Sequence, residues 1–247
     1  MGLSFDGTPD IQDRNRSQSS QMVDWRFFLE TWPDNSVKMT MSSQSTHSMY
    51  DGVLYLHHLG FSKVNVELAH GVNWTKENII SYKTQLERLA DYYVQHPEVH
   101  RISLLNIDIR KVLDKNVPNK KCGCGSNFSV YDTDGVRYPC HLFSPLVMTQ
   151  EQLNGIKDID FDNDSLFTND ICKGCLLRAI CIGCCGMNYL YNHDVGKTPI
   201  VMCKLFQVQF LVNCKLQERL LTAYDNEYRK ELQSVLNFVK HCIIRKR

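Results

Sequence analysis

The chain has 247 residues, a formal net charge of +1 and 22% charged residues. That balance leaves no electrostatic footprint for nucleic acid, and no apolar run approaches the ~20 residues a membrane-spanning helix needs. The length suits one large or two small domains with a core of ordinary size. The opening Met1-Gly2-Leu3-Ser4-Phe5-Asp6-Gly7 has neither a charged n-region nor an apolar h-region, so the expected setting is cytoplasmic and reducing.

Residues 1–95 alternate between strand-like and helix-like patterns. Leu3-Ser4-Phe5 is short for a strand but ends in a turn signal, Asp6-Gly7-Thr8-Pro9. Polar residues 10–20 follow, and Met22 to Trp32 has helical spacing until Pro33 stops it. Val37-Lys38-Met39-Thr40-Met41 alternates as a strand does. Thr46 to Leu59 is the next predicted helix, with Gly60 as its C-terminal punctuation. A second strand lies within Phe61 to Leu68, at Val64-Asn65-Val66-Glu67-Leu68. Thr75 to Gln95 is the clearest helix of this half, with Tyr82, Leu86, Leu89 and Tyr93 on one stripe and Pro97 beyond its end. Strands that alternate with helices argue βαβ units and a parallel sheet.

Residues 97–121 read as a mildly basic connector. Asp132-Thr133-Asp134-Gly135 between Phe128–Tyr131 and Val136–Tyr138 signals a β-hairpin. The acidic run Asp158 to Asp164 lacks the glycine and closing glutamate of a calcium-binding EF-hand loop and reads as an exposed loop. Leu205 to Ile244 is helical in pattern, and Arg245-Lys246-Arg247 forms a basic tail.

Nine of the eleven cysteines fall between residues 122 and 203. Cys172, Cys175, Cys181, Cys185 and Cys203 form C-x2-C-x5-C-x3-C-x17-C, and Cys122, Cys124 and Cys140 lie upstream around the hairpin. Thiolates a few residues apart converge readily on a soft, multiply charged metal centre. Disulfides would need an oxidising compartment, which the N-terminus does not suggest. Structural zinc would be served by four thiolates in two close pairs, and iron–sulfur clusters are also held by four cysteines each. Eight ligands suit two zincs as well as two clusters, so the count alone does not choose.

The cysteine run resembles the SPASM domain, the C-terminal auxiliary-cluster module of radical SAM enzymes that modify peptides and proteins. The family's pieces are a cysteine, a hairpin with G-x4-C, then C-x2-C-x5-C-x3-C and a last cysteine, and each is present over about residues 120–205. The resemblance implies one 4Fe-4S cluster on Cys124, Cys140 and Cys185 with Cys122 as fourth ligand. It implies a second on Cys172, Cys175, Cys181 and Cys203, with Cys184 left over. His141, directly after Cys140, stands where the related sulfatase maturases carry an aspartate that accepts a proton. An imidazole can do that work near neutral pH, the plainer alternative being a histidine packed beside the cluster. The replacement argues against the sulfatase-maturase subfamily.

Ser4-Phe5-Asp6-Gly7-Thr8-Pro9 with Asp13 and Arg14 resembles the S-x-D-G-x(P)…D…R segment at the fourth barrel strand of radical SAM enzymes. By that resemblance Ser4, Asp6 and Arg14 (or Arg16) are the candidate contacts to S-adenosylmethionine. The competing reading is a plain turn followed by a solvated helix. No C-x3-C-x2-C loop, the family's site for its catalytic cluster, occurs in this sequence.

The expected architecture is therefore α/β. It comprises the C-terminal half of a partial (β/α)6 barrel over 1–115, holding strands four to six, an iron–sulfur module over 116–205, and C-terminal helices over 206–247. A half barrel exposes a sheet edge that proteins usually cover or pair, so the expectation is a truncated enzyme or one completed by a chain carrying the first barrel half. The expected partner is a peptide or protein substrate, with S-adenosylmethionine bound only when that first half is supplied. The competing classes are a structural zinc-binding interaction module and an electron-transfer or substrate-binding subunit of a split enzyme.

Overall fold

The computed structural model describes residues 2–244, so the basic tail at 245–247 lies outside the described residues. In chain order the elements are β1 (Leu3–Ser4), α1 (Pro9–Asn15), α2 (Trp25–Thr31), β2 (Val37–Met41), α3 (Met49–His58), β3 (Val64–Leu68) and α4 (Lys76–Gln95). Then come β4 (Val130–Tyr131), β5 (Arg137–Tyr138), α5 (Gln150–Gly155), α6 (Asp170–Lys173), α7 (Cys185–Asn192), α8 (Ile200–Arg219) and α9 (Asn226–Ile244). The chain divides into two units: one runs to Arg110 and resumes at Lys204, the other is Lys111–Cys203.

The first unit is built on a parallel sheet of order β1-β2-β3, with Leu3 opposite Val37 and Val37 opposite Val64. The alternation in β2 sets its faces: Val37, Met39 and Met41 are fully buried, whereas Lys38 is exposed. The expected strand at the N-terminus exists as a two-residue edge strand. The Asp6-Gly7 turn that ends it needs its glycine. Gly7 has φ +102°, and a Cβ there would meet the Gly52 Cα at 2.8 Å.

Polar residues 10–20 carry no strong helical pattern, yet Pro9–Asn15 forms α1. Proline at its first turn pre-sets φ, and Ile11 and Gln12 are buried. The helix expected over Thr46 to Leu59 is α3 preceded by a 3-10 turn at Thr46–Ser48. Helix α4 is capped by Thr75, whose hydroxyl accepts from the Asn78 N–H while the Asn78 side chain accepts from the Thr75 N–H. Its stripe is core: Tyr82, Leu86, Leu89 and Tyr93 are at most 1% exposed, each stabilising the fold by about 1.5–3 kcal/mol.

The C-terminal helices fall in this same unit. Gln209, Asn213 and Gln217 repeat every fourth residue along α8 and satisfy the connector's backbone. Gln209 and Asn213 donate to the Leu104 carbonyl at 3.0 and 2.7 Å, and Gln217 donates to the Ile107 carbonyl at 2.7 Å. An irregular segment buried through Leu104 and Leu105 would otherwise leave such carbonyls unpaired.

In the second unit the hairpin forms as expected. Val130 pairs with Tyr138 and Tyr131 with Arg137, and Asp132 Oδ1 accepts from the N–H groups of Asp134 and Val136 across the turn. Among the described residues no helix is long and apolar enough to cross a membrane.

Candidate metal centre: two sets of four thiols

The first set is assembled at the base of the hairpin. Cys124 is held by the turn Gly123-Cys124-Gly125, whose Gly123 carbonyl accepts from the N–H groups of Asn127 and Phe128 at 2.9 and 2.8 Å. The Gly125 N–H reaches both the Phe128 carbonyl at 2.9 Å and the Pro139 carbonyl at 3.1 Å, which ties the turn to the strand leading into Cys140. Gly125 itself has φ +73°, and a Cβ there would overlap the Phe161 ring at 2.5 Å, so this position admits no side chain.

Cys185 opens α7, with Cys184 as the residue before its first turn. Cys124, Cys140 and Cys185 are all buried, at 1%, 6% and 5% exposure. The Cys124 thiol shares hydrogen bonds with both Cys140 and Cys185, and those bonds with burial hold its pKa far above the ordinary thiol range. Its partners move the other way. Cys140 is lowered first by Cys124 and then by the Leu142 and Phe143 N–H groups, and Cys185 by Cys124, the Gly186 N–H and the Lys120 ammonium. Backbone N–H donors aimed at sulfur favour the thiolate.

Cys122 joins these three. It is exposed as a residue, and desolvation followed by the nearby Cys185 and Cys140 raises its pKa. Cys184 lies beside the set and shares no hydrogen bond with Cys124; burial pushes its thiol up to about 11. His141 is exposed, next to Cys140 at the start of a 3-10 turn, and its carbonyl accepts from the Ser144 hydroxyl at 2.7 Å.

The second set comes from three local devices. Asn169 caps α6 by accepting the Cys172 N–H at 3.0 Å, and the Cys175 N–H returns to the Cys172 carbonyl at 3.1 Å, closing the C-x2-C turn. Another turn places Cys181, whose N–H bonds to the Leu177 carbonyl at 2.8 Å. Cys203 lies in the first turn of α8, with its N–H on the Pro199 carbonyl at 3.2 Å. Burial and then Cys203, Cys175 and Cys172 push Cys181 up to about 12, while Lys121 pulls the other way. Burial followed by Cys172 and Cys175 raises Cys203 as well.

The segment before Cys122 is pinned by Asp164. Its carboxylate accepts the N–H groups of Asn119 and Lys120, each at 2.9 Å, which outweighs its burial and keeps its pKa below the usual carboxylate value. Sequence reasoning read this aspartate only as part of an exposed acidic loop. The two lysines that follow diverge. Lys120 Nζ donates to the carbonyls of Cys124 and Phe161 and to the Ser126 hydroxyl. Lys121 Nζ is shielded from solvent with no hydrogen-bond partner. Burial and then the Arg178 guanidinium lower its pKa, against the pull of Cys181 and Asp164.

Cys214 and Cys242 belong to neither set. Cys214 is buried in α8, where burial raises it to about 12. Among the described residues, no group of three or more His, Cys, Asp or Glu side chains is placed so as to hold a metal ion.

The N-terminal candidates lie in the first unit. Ser4 ends β1. Asp6 is 1% exposed, and its carboxylate is taken up by Arg16 Nε at 3.0 Å and Arg16 Nη2 at 3.1 Å, by Asn15 at 3.2 Å and by the Thr40 N–H at 2.8 Å. Arg14 is exposed, and Arg16 is the arginine that faces this carboxylate.

Among known proteins, no family model matches the sequence, and no curated protein matches it either. The fold is similar to that of hexahistidine-tagged anSMEcpe with bound AdoMet, at TM-score 0.61 and 16% identity over 94% of this chain and 68% of that one. It is also similar to native anSMEcpe with bound AdoMet and the Cp18Cys peptide, at TM-score 0.54 and 15% identity over 96% and 69% of the two chains.

Proposed function

We propose that this chain is the auxiliary-cluster portion of a radical SAM enzyme that modifies a peptide or protein. In this reading it carries two 4Fe-4S clusters, on Cys122, Cys124, Cys140 and Cys185 and on Cys172, Cys175, Cys181 and Cys203. The observation that carries it is that eight of the eleven cysteines fall into two groups of spatial neighbours, with Cys184 beside the first. The likeness in fold to a structure with bound AdoMet supports it, as does the sequence resemblance to the SPASM module.

The donor chemistry suits the group. Each set offers four thiols, of which Cys122 and Cys175 are exposed, with backbone N–H groups or a lysine ammonium near some of them, as suits a thiolate-ligated anion. Four thiolates serve zinc as well as a 4Fe-4S cluster, and the resemblance to the SPASM module is what favours clusters.

Bound there, such clusters pass electrons or hold a substrate. His141, exposed beside Cys140, is the candidate proton acceptor of that site. Ser4 lies at the carboxyl end of its parallel strand, the end where open α/β sheets bind ligands, and is the candidate contact to S-adenosylmethionine. Asp6 serves that contact through Arg16 and the turn it organises, and Arg14 remains available from solvent. The peptide in the second anSMEcpe structure supports a peptide or protein as substrate class. A polypeptide with a C-x3-C-x2-C loop completes the reaction.

The test is metal and sulfide analysis of the chain purified without oxygen. A brown protein with about eight irons and matching sulfide is expected. Stoichiometric zinc without sulfide would replace this reading with a structural zinc module.

A further inference from the structure

A hydrogen-bonded path joins the backbone of the two thiol sets, and it lies wholly within the second unit. On the side of the second set, the Arg178 N–H donates to the Cys175 carbonyl at 3.1 Å. The Leu177 carbonyl just before it accepts the Cys181 N–H at 2.8 Å. The Arg178 side chain then spans 59 residues of chain, with Nη2 donating to Asn119 Oδ1 at 2.7 Å. Asn119 is clamped in turn by Asp164, whose carboxylate accepts its N–H at 2.9 Å and its Nδ2 at 2.8 Å. That carboxylate also accepts the Lys120 N–H at 2.9 Å. On the side of the first set, Lys120 Nζ donates to the Cys124 carbonyl at 3.0 Å.

The residue types suit the junction. A primary amide has an oxygen acceptor on one side and two N–H donors on the other, so Asn119 faces a guanidinium and a carboxylate at once. Both bonds have an ionic partner, the stronger class. Asn119 and Arg178 are half-buried, and Arg178 Nε is shielded from water, which limits competition from solvent. The cysteines enter this path through their carbonyls, so it leaves their sulfurs free to bind.

We propose that Asn119 and Arg178 are positioning residues that couple the filling of the two thiol sets. This rests on the two-cluster reading above. Ligation through Cys172, Cys175 and Cys181 fixes the turns that carry Arg178. Arg178 then holds Asn119, and with it the approach to Cys122 and Cys124. Part of the order that the first set needs is therefore already present when the second is filled, a coupling through local order. Such coupling is reciprocal, so filling the first set favours the second by the same factor.

The experiment is an anaerobic iron titration of the full chain with sulfide in excess, each set followed after reduction by its electron paramagnetic resonance signal. Cys172→Ala with Cys175→Ala removes the second set's signal, and Cys124→Ala with Cys185→Ala removes the first's. Loss of the second set should raise the iron concentration that half-fills the first by about tenfold, the size of one hydrogen bond to a charged group. Loss of the first should raise that of the second by the same factor. In Arg178→Met each set should half-fill at one iron concentration whether or not the other set is present. Asn119→Ala should behave alike and serves if the methionine variant folds poorly. Arg178→Lys, which keeps a cationic donor, should retain part of the coupling. Lys173→Met, which removes an exposed pair with Asp170 beside Cys172, should leave it whole. A merely structural role would weaken both sets without changing how one depends on the other. Independent filling in the parent, or undiminished coupling in Arg178→Met and Asn119→Ala, overturns the proposal. A parent chain that takes up no iron and sulfide defeats the two-cluster reading and the proposal with it.

Discussion

Cys184 and Cys185 are adjacent, and the proposed ligand set takes only Cys185. Cys185 shares a hydrogen bond with the Cys124 thiol, whereas Cys184 reaches the set through charge alone. A matched pair of double variants turns this into a number. Cys124→Ala with Cys185→Ala leaves two thiols of the first set, too few for a cubane that takes four. Cys124→Ala with Cys184→Ala leaves three. Iron should fall from about eight to about four per chain in the former and remain clearly higher in the latter. Packing does not confound the comparison much, because each change removes one sulfur-sized group from a shielded position, at about 1 kcal/mol. Iron and acid-labile sulfide, measured after anaerobic reconstitution and desalting, provide the assay. Equal iron in the two variants, or the lower value in the Cys184 pair, would refute the assignment of Cys185.

Gly125→Ala forces a left-handed backbone and drives a Cβ into the Phe161 ring; it should cost about 2 kcal/mol or more and lower both the urea midpoint and the iron content. His57 hydrogen-bonds the Phe61 carbonyl and the Tyr93 hydroxyl, and burial, the largest cause, holds its pKa below 6.5. The unfolded chain therefore takes up this proton first, so the stability it confers is full above pH 6.5 and is lost as pH falls towards the folded value. Urea midpoints measured across that window should drop, and less steeply in His57→Gln. With dithionite and S-adenosylmethionine, this chain alone should form no 5′-deoxyadenosine, because each set has four candidate thiolates and no open iron position. Product should appear when a polypeptide bearing a C-x3-C-x2-C loop is present, and product from the isolated chain would contradict the ligand count.

Local pattern was enough to define several elements. Val37–Met41 and Val64–Leu68 are strands with the bounds their alternation suggests, because side-chain period is a property of the strand itself. The stripe of α4 and the Asp132–Gly135 turn were legible for the same reason. So was the bunching of cysteines, which limited the chemistry to thiolate-bound metal or disulfide. Helix α1 was legible only as an alternative, a solvated helix after the turn, because its burial rests on Ile11 and Gln12 alone, too few residues for a period. The polar ladder of α8 reads in sequence as ordinary helix surface and becomes core only where the connector's carbonyls lie against it.

The sorting of thiols into sets belongs to tertiary structure. Spacing could not show that Cys185 lies near Cys124 and Cys140, or Cys181 near Cys203, because segments far apart in sequence bring them together. Nor could it show which arginine faces Asp6, or which of two neighbouring lysines stays dry. Residue type decides what a side chain can bind, but its neighbours and its exposure to water are set by packing between segments distant in sequence.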